Sequence, residues 1–161
     1  MTKVDAAGLR RARAAALQIL YQMEVGRVTA RDAIRTYWPA RDAERLDPAG
    51  AHDEGEADAA ADLPEPLREF ANALVDGTMA RVAEIDALLG AHAQNWRVER
   101  MAVLDRLVLR LAVYELLSAP ETPARVIINE ALELTRAYAG DEAVGFVNGI
   151  LDAVRKTLRR E

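Results

Sequence analysis

The chain has 161 residues, of which 51% are hydrophobic and 29% are charged, a composition that predicts one folded domain, or at most two small ones, and excludes wholesale disorder. Because it holds no cysteine, disulfide scaffolds, thiolate metal sites and cysteine nucleophiles are excluded. The start lacks the pattern of a secretory leader, and four charges interrupt the most apolar stretch, Met101 to Leu117. We therefore expect a cytoplasmic protein without a membrane span.

The net charge of −5 is unevenly distributed along the chain. Residues 41–70 hold ten acidic residues against three arginines, a net −7, which leaves +2 on the remainder. The first twenty residues alone carry a net +3. A cationic contact surface is therefore compatible with an acidic chain.

Aromatic residues make up only 5% of the chain, and no run alternates as a strand would, so we predict an all-α fold. The first predicted helix covers about 8–25 and stops at Gly26. The second begins with Thr29 as its N-cap and ends at Pro39. Residues 40–63 lack an apolar period and are expected to form a solvated, mobile acidic loop.

A long helical pattern follows the acidic loop. It opens at Pro64 and Pro66 and reaches Gly90, with a potential break at Gly77. The next helix, over about 98–118, is the most hydrophobic and is apolar around much of its circumference. We therefore expect this helix to lie centrally.

Two helices complete the pattern. Pro120 and Pro123 end the central helix. The following amphipathic helix has Val126 on its predicted apolar face and ends at Gly140. Asp141 is the expected N-cap of the last helix.

Support for enzyme chemistry is poor. His52 and His92 have no partner at ligand or triad spacing, and phosphate-loop and zinc-protease motifs are absent. Glu130 and Glu133 have the residue types of an acid/base pair, but Arg136 follows Glu133 at i+3, which favours a solvated ion-pair face. The sequence therefore predicts a protein without catalytic residues, metal or cofactor.

One face of the first helix combines charge, amides and a ring. At 100° per residue, Arg10, Arg11, Gln18, Tyr21 and Gln22 all lie away from the apolar stripe. The stripe consists of Leu9, Ala12, Ala16, Ile19, Leu20 and Met23. Arginines suit phosphate oxygens, amides can bind base edges, and a ring can stack on an unpaired base. The alternative is a solvated face with Tyr21 half-buried, which this helix alone favours.

The segment GFVNG, residues 145–149, is unusual for a helix. Gly145 and Gly149 stand at i and i+4, and each costs about 1 kcal/mol relative to alanine. Either another backbone approaches closely there, or a flat group stacks on Phe146 beside Asn148. By itself the pattern favours helix packing.

Three segments together resemble the NusB family of bacterial transcription antitermination factors. They are RRARAAALQILYQME, DRLVLRLAVYELL and TPARVIINEALELTRAYAGDEAVGFVNGILDAV, in this order and spacing. The resemblance covers nearly the whole chain except the acidic loop. It implies a single all-α domain over residues 1–161, with about seven helices in two packed sub-bundles.

The resemblance also implies a nonenzymatic function. Family members bind the boxA element of single-stranded leader RNA, pair with the ribosomal protein NusE, and act in the antitermination complex of RNA polymerase. Asp105 and Glu142 match acidic positions of the protein-partner region. The positions expected to contact RNA, with Asn148 added from its place beside Phe146, are Arg10, Arg11, Arg13, Gln18, Tyr21, Arg125, Asn129, Phe146 and Asn148.

Three alternatives stay open at this point. A purely protein-binding helical adaptor is compatible with the acidic net charge. Some ribosomal RNA cytosine methyltransferases carry a NusB-like accessory domain, but the chain has no glycine-rich turn of a methyl-donor domain. Family members occur as monomers and as dimers, so a homodimer is also an alternative.

Overall fold

The computed structural model describes residues 4–46, 63–93 and 97–161, and these ranges contain helices, turns and loops but no strand. The all-α prediction with about seven helices is confirmed for these ranges. Most of the predicted acidic loop and His52 lie outside the described residues. The α-helices are α1 (Ala6–Gly26), α2 (Ala30–Leu46), α3 (Glu65–Ala80), α4 (Val82–His92), α5 (Val103–Ser118), α6 (Ala124–Tyr138) and α7 (Val144–Thr157).

The chain divides into two compact units, Met1–Asp76 and Gly77–Glu161. The first unit holds α1, α2 and most of α3, and the second holds the end of α3 and all of α4 to α7. This agrees with the two helical sub-bundles expected from the sequence.

Asp5 is the N-cap of α1. Its carboxylate accepts a hydrogen bond of 2.7 Å from the N–H of Gly8. A Cβ at Gly8 would lie 2.6 Å from Cδ1 of Leu67, so the absence of a side chain lets α1 and α3 approach closely. The predicted stop at Gly26 is displaced by one residue. Gly26 is still helical, and Arg27 adopts the left-handed conformation with φ 52°.

Thr29 caps α2 as predicted, since its hydroxyl accepts a hydrogen bond of 3.2 Å from the N–H of Asp32. The prediction that Pro39 ends this helix is wrong, because α2 continues to Leu46. Pro39 removes only the N–H that would bond the carbonyl of Arg35. Both residues are exposed, so water can satisfy that carbonyl. Residues 40–46, expected in the acidic loop, are therefore helical.

Trp38 lies between α2 and α3 with only 7% of its surface exposed. Its indole N–H donates a hydrogen bond of 2.9 Å to Oδ1 of Asn72. The guanidinium of Arg68 stands 4.8 Å from the Trp38 ring centroid, and the Tyr37 ring meets it edge-on at 4.9 Å. These directional contacts fix how α2 packs on α3.

Arg68 also binds residues at both ends of the expected loop, Asp42 and Leu63. Its guanidinium donates two hydrogen bonds to the carboxylate of Asp42, at 2.6 and 3.1 Å, and this pairing raises the pKa of Arg68 above its usual value. Its Nε donates to the carbonyl of Leu63 at 2.8 Å. Leu63 is 3% exposed, so the expectation of a solvated loop up to residue 63 is wrong at this end.

The long pattern after Pro64 forms two helices, but the break is at Arg81 rather than at Gly77. Gly77 lies within α3. A side chain is absent there because a Cβ would collide with the ring and hydroxyl of Tyr114 on α5. The glycine therefore makes room for Tyr114 and does not interrupt the helix.

α5 is the central helix of the second unit, as predicted. It packs against α4, α6 and α7, and nine of its residues are buried, Arg106 and Glu115 among them. Its first turn follows a 3-10 turn at Val98–Arg100.

The prediction that Asp141 caps α7 is wrong. Gly140 follows the end of α6 and has φ 103°, as expected for a glycine that terminates a helix. Asp141 then begins a 3-10 turn, Asp141–Ala143, and α7 starts at Val144 without a side-chain cap. The N–H of Val144 bonds the carbonyl of Asp141, so the backbone itself provides the start of the helix.

Candidate nucleic-acid interface

The predicted polar face of α1 is interrupted in the first unit. Arg10, near the start of the helix, is exposed, and Tyr21, near its end, is 43% exposed. Ala14 and Leu17 lie on the same side between them, yet they are 6% and 1% exposed. Two buried residues therefore lie between Arg10 and Tyr21 on this side of α1, and Arg10 and Tyr21 are separated by about 16 Å along the helix axis.

The other predicted α1 residues are partly engaged within the fold. Arg11 and Arg13 are half-buried, and the guanidinium of Arg13 stands 5.7 Å from the ring centroid of Phe70. Oε1 of Gln18 accepts a hydrogen bond of 2.5 Å from the hydroxyl of Tyr37. The sequence alone did not indicate the Gln18 contact, because its partner lies nineteen positions away on α2.

The glycine face of α7 is an open surface of the second unit. Gly145, Asn148 and Gly149 are exposed, and Phe146 is half-buried beside them. A Cβ at Gly145 or Gly149 would meet no atom of the described chain within 4 Å. No neighbouring backbone in the described ranges therefore explains the two glycines, and the helix-packing alternative that the sequence favoured is wrong for these ranges.

α6 carries a second exposed group of predicted residues in the same unit. Arg125 and Asn129 are exposed and stand at i and i+4, on one side of the helix. Val126 is 38% exposed, although the sequence placed it on the apolar face. It lies in the first turn, where no described neighbour buries it, while Ile127 and Ile128 fill the core.

Asp105 is half-buried in the first turn of α5. Burial raises the pKa of its carboxyl above the usual range, because desolvation disfavours the charged form. Glu142 differs from Asp105 in that it is exposed, in the 3-10 turn before α7. The fold therefore opposes the charge of the Asp105 carboxylate.

The model of the NusB family matches residues 10–156. The chain belongs to the NusB family. A transcription antitermination protein NusB of Koribacter versatilis (strain Ellin345) is 39% identical over 152 residues, which cover 94% of this chain and 91% of the relative.

Two solved structures are similar to this chain. T. maritima NusB has a TM-score of 0.72 at 31% identity and covers 96% of this chain and 93% of that chain. A structure of the antitermination factors NusB and NusE in complex with dsRNA has a TM-score of 0.70 at 22% identity, covering 95% of this chain and 99% of that chain. The second likeness shows that the fold is shared.

Two further side-chain pairs of this NusB-family chain are exposed. Glu133 accepts a hydrogen bond of 2.7 Å from Arg136, as predicted for an exposed ion-pair face. Nε2 of His92 lies 2.9 Å from the hydroxyl of Thr157. The described residues hold no cluster of three or more histidine, aspartate or glutamate side chains suited to a metal ion. None of the helices in the described ranges is long and apolar enough to cross a bilayer.

Proposed function

We propose that this chain is a transcription antitermination factor that binds boxA-type single-stranded leader RNA together with the ribosomal protein NusE, within the antitermination complex of RNA polymerase. The observation that carries the proposal is the open glycine face of α7 on a member of the NusB family. Two glycines on adjacent turns, next to a ring and an amide, leave a surface that a flat nucleobase can approach closely.

Each predicted contact has a defined role in this proposal. The rings of Phe146 and Tyr21 stack on unpaired bases, at roughly 1–3 kcal/mol per base. Asn148, exposed beside the ring, donates and accepts hydrogen bonds at a base edge. Arg125 and Asn129 hold the phosphate backbone or the sugar from α6.

The arginines of α1 supply a salt-dependent contribution. Arg10 is exposed, and Arg11 and Arg13 are half-buried, so their guanidinium groups bind phosphates without reading the sequence. Oε1 of Gln18 accepts the Tyr37 hydrogen bond, and the amide group of this half-buried side chain is the proposed contact at a base edge.

NusE is the proposed protein partner, and Asp105 and Glu142 are the residues of this chain proposed to contact it. A cationic side chain of the partner would offset the cost of the half-buried Asp105 carboxylate. The structure that holds both NusB and NusE together with dsRNA suggests the composition of such an assembly. A factor of this kind acts by binding alone, so we propose that it has no catalytic activity and acts in the cytoplasm.

The test is a titration of the chain with a boxA-type single-stranded RNA, with and without NusE, at several salt concentrations. We expect RNA binding to tighten when NusE is present. The logarithm of the association constant should fall linearly with the logarithm of the salt concentration. Absence of RNA binding under every condition would refute the proposal. Retention of NusE with no gain in RNA affinity would instead support a protein-binding adaptor.

A further inference from the structure

Arg160 lies after the last helix, yet its guanidinium reaches across the end of α5. Its Nε donates a hydrogen bond of 3.0 Å to the carbonyl of Leu116. Its Nη2 donates to the carbonyls of Ala119 and Thr122 at 2.8 and 2.9 Å, and its Nη1 donates to the carbonyl of Pro120 at 3.3 Å. One planar side chain therefore binds one carbonyl of the last turn of α5 and three carbonyls of the segment that connects α5 to α6.

The end of α7 is shaped so that Arg160 points in this direction. Arg159 is left-handed, with φ 54°, a conformation that is uncommon for a residue with a side chain. The N–H of Arg160 bonds the carbonyl of Arg155 at 2.9 Å, and the N–H of Arg159 bonds that of Lys156 at 3.1 Å. These two bonds form a Schellman motif, which reverses the chain after the helix.

A second set of contacts holds the turn in place. The guanidinium of Arg155 donates to the carbonyl of Arg160 at 3.2 Å and to Oδ1 of Asp152 at 2.8 and 3.1 Å. The N–H of Ala124, the first residue of α6, bonds the main-chain oxygen of Glu161 at 2.9 Å. Residues 160 and 161 thus satisfy carbonyls at the end of α5 and an N–H at the start of α6, which a helix leaves without partners.

The first turn of α6 carries Arg125, and Asn129 lies one turn further on, both exposed. The connection before them contains Pro120 and Pro123 and is exposed at both, so few core contacts fix its path. We infer that Arg160 is a positioning residue for RNA binding: it holds the connection between α5 and α6 in the one path that orients Arg125 and Asn129 toward the RNA. This inference rests on the proposed function.

The chain offers a matched control for charge. Arg159 adjoins Arg160 and its side chain is exposed, so Arg159→Gln and Arg160→Gln remove the same charge from the same segment. Arg160→Lys keeps the charge but cannot reproduce the planar fork. Positioning therefore predicts that Arg160→Lys behaves like Arg160→Gln, whereas a phosphate contact by Arg160 itself predicts that it behaves like the unchanged chain.

The measurement is the Kd for a boxA-type single-stranded RNA, with amide hydrogen exchange on the same proteins. We expect Arg160→Gln and Arg160→Lys each to weaken binding about fivefold, the effect of losing one net hydrogen bond, and Arg159→Gln to weaken it less than about twofold. Exchange at the N–H groups of Thr122 and Ala124 should accelerate in both Arg160 variants. Exchange at Val108 and Val113, in the core of α5, should not change if the fold is intact.

A double-mutant cycle isolates the positioning role. Arg125→Ala should weaken RNA binding about fivefold in the unchanged chain and less than about twofold in the Arg160→Gln background. Equal effects in both backgrounds, or full affinity in Arg160→Lys, overturn the inference while leaving the proposed function standing. The inference is also overturned if Arg125→Ala does not change the Kd for RNA in a chain that keeps Arg160. A failure of the unchanged chain to bind the RNA removes the proposed function and this inference together.

Discussion

The hydroxyl of Tyr37 on α2 donates a hydrogen bond of 2.5 Å to Oε1 of Gln18 on α1. Tyr37 is 1% exposed and Gln18 is half-buried, so this part-buried bond joins two helices. We expect Gln18→Ala to lower the free energy of unfolding by about 1–3 kcal/mol, since it leaves a buried hydroxyl without this acceptor. The loss is measured by chemical denaturation.

Tyr37→Phe is the control for this bond. In a chain that already has phenylalanine at position 37, Gln18→Ala should cost less than in the unchanged chain. Were Gln18→Ala instead to leave stability unchanged and weaken RNA binding, the side chain would act as a reader of base edges and not as a link between α1 and α2.

Gly149→Ala should separate stability from binding. A Cβ at this position meets open space, so alanine should stabilise α7 by about 0.5–1 kcal/mol through its higher helix propensity. The same methyl group should weaken RNA binding about fivefold, because holding a base about 1 Å further away forfeits much of the van der Waals contact. Thermal unfolding and RNA titration measure the two effects.

Gly90→Ala is the matched control for Gly149→Ala. Gly90 is also helical, on α4, and an added Cβ there likewise meets no described atom within 4 Å. It should gain stability without any change in RNA affinity. Equal RNA affinity for the Gly149→Ala and unchanged chains would show that the glycine face does not contact RNA.

Gly77→Ala should be destabilising, in contrast to the two exposed positions. An added Cβ would collide with the Tyr114 ring, and such overpacking costs typically about 1–3 kcal/mol. Tyr114→Ala should remove the collision, so Gly77→Ala should cost nothing further in that background. A decrease in Tm caused by Gly77→Ala that persists unchanged without the tyrosine would point to the backbone of α3 as its cause.

Phe146→Leu and Tyr21→Ala test the stacking rings. Leucine preserves the bulk of the half-buried Phe146 side chain but lacks its aromatic face, and Tyr21 is exposed, so both variants should keep a Tm close to that of the unchanged chain. Each should weaken RNA binding by about 1–3 kcal/mol. The slope of affinity against salt should stay the same, since neither change removes a charge. A large fall in Tm in either variant would instead assign that ring to the core.

Asp105→Asn should stabilise the protein at neutral pH. Burial raises the pKa of the Asp105 carboxyl in the folded state, so between its unfolded and folded pKa values the folded chain binds more protons, and stability falls as pH rises through that window. Asparagine removes this cost at pH 7, and the difference between variant and unchanged chain should shrink as pH falls below the folded pKa. Thermal unfolding at a series of pH values measures it.

Asp152→Asn should change the stability at pH 7 in the opposite direction to Asp105→Asn. Hydrogen bonds from Arg155 and Lys156 lower the pKa of the Asp152 carboxyl, so its ionised form stabilises the folded chain above the unfolded pKa, and this contribution is lost as pH falls through the folded pKa. Asp152→Asn should therefore destabilise the protein at pH 7. The same sign for both substitutions would contradict the assignment of their environments.

The sequence predicted the helices well and their boundaries less well, for physical reasons. Apolar periodicity identified the central α5, because burial on most sides leaves a strong pattern. Proline and glycine were less reliable. Pro39 is exposed and loses a single helical hydrogen bond, and Gly77 makes room for Tyr114, a partner thirty-seven positions away. Such contacts depend on tertiary neighbours that a local pattern does not contain.

The candidate site was predictable in part. The glycines and Phe146 of α7 could be found locally, because two glycines in one turn contradict helix propensity and so need an explanation. The interrupted face of α1 could not be found in this way. Ala14 and Leu17 are buried outside the predicted apolar stripe, since α1 is covered on more than one side.

Trp38 provides an optical reporter for the packing of α2 on α3. One of two tryptophans in the chain, it is nearly buried, its indole N–H is bonded to Asn72, and the Arg68 guanidinium covers its ring. Replacing Trp96 with phenylalanine would leave a single indole whose emission shifts to longer wavelength when the two helices separate. Fluorescence could then follow the opening of the first unit independently of events on α7.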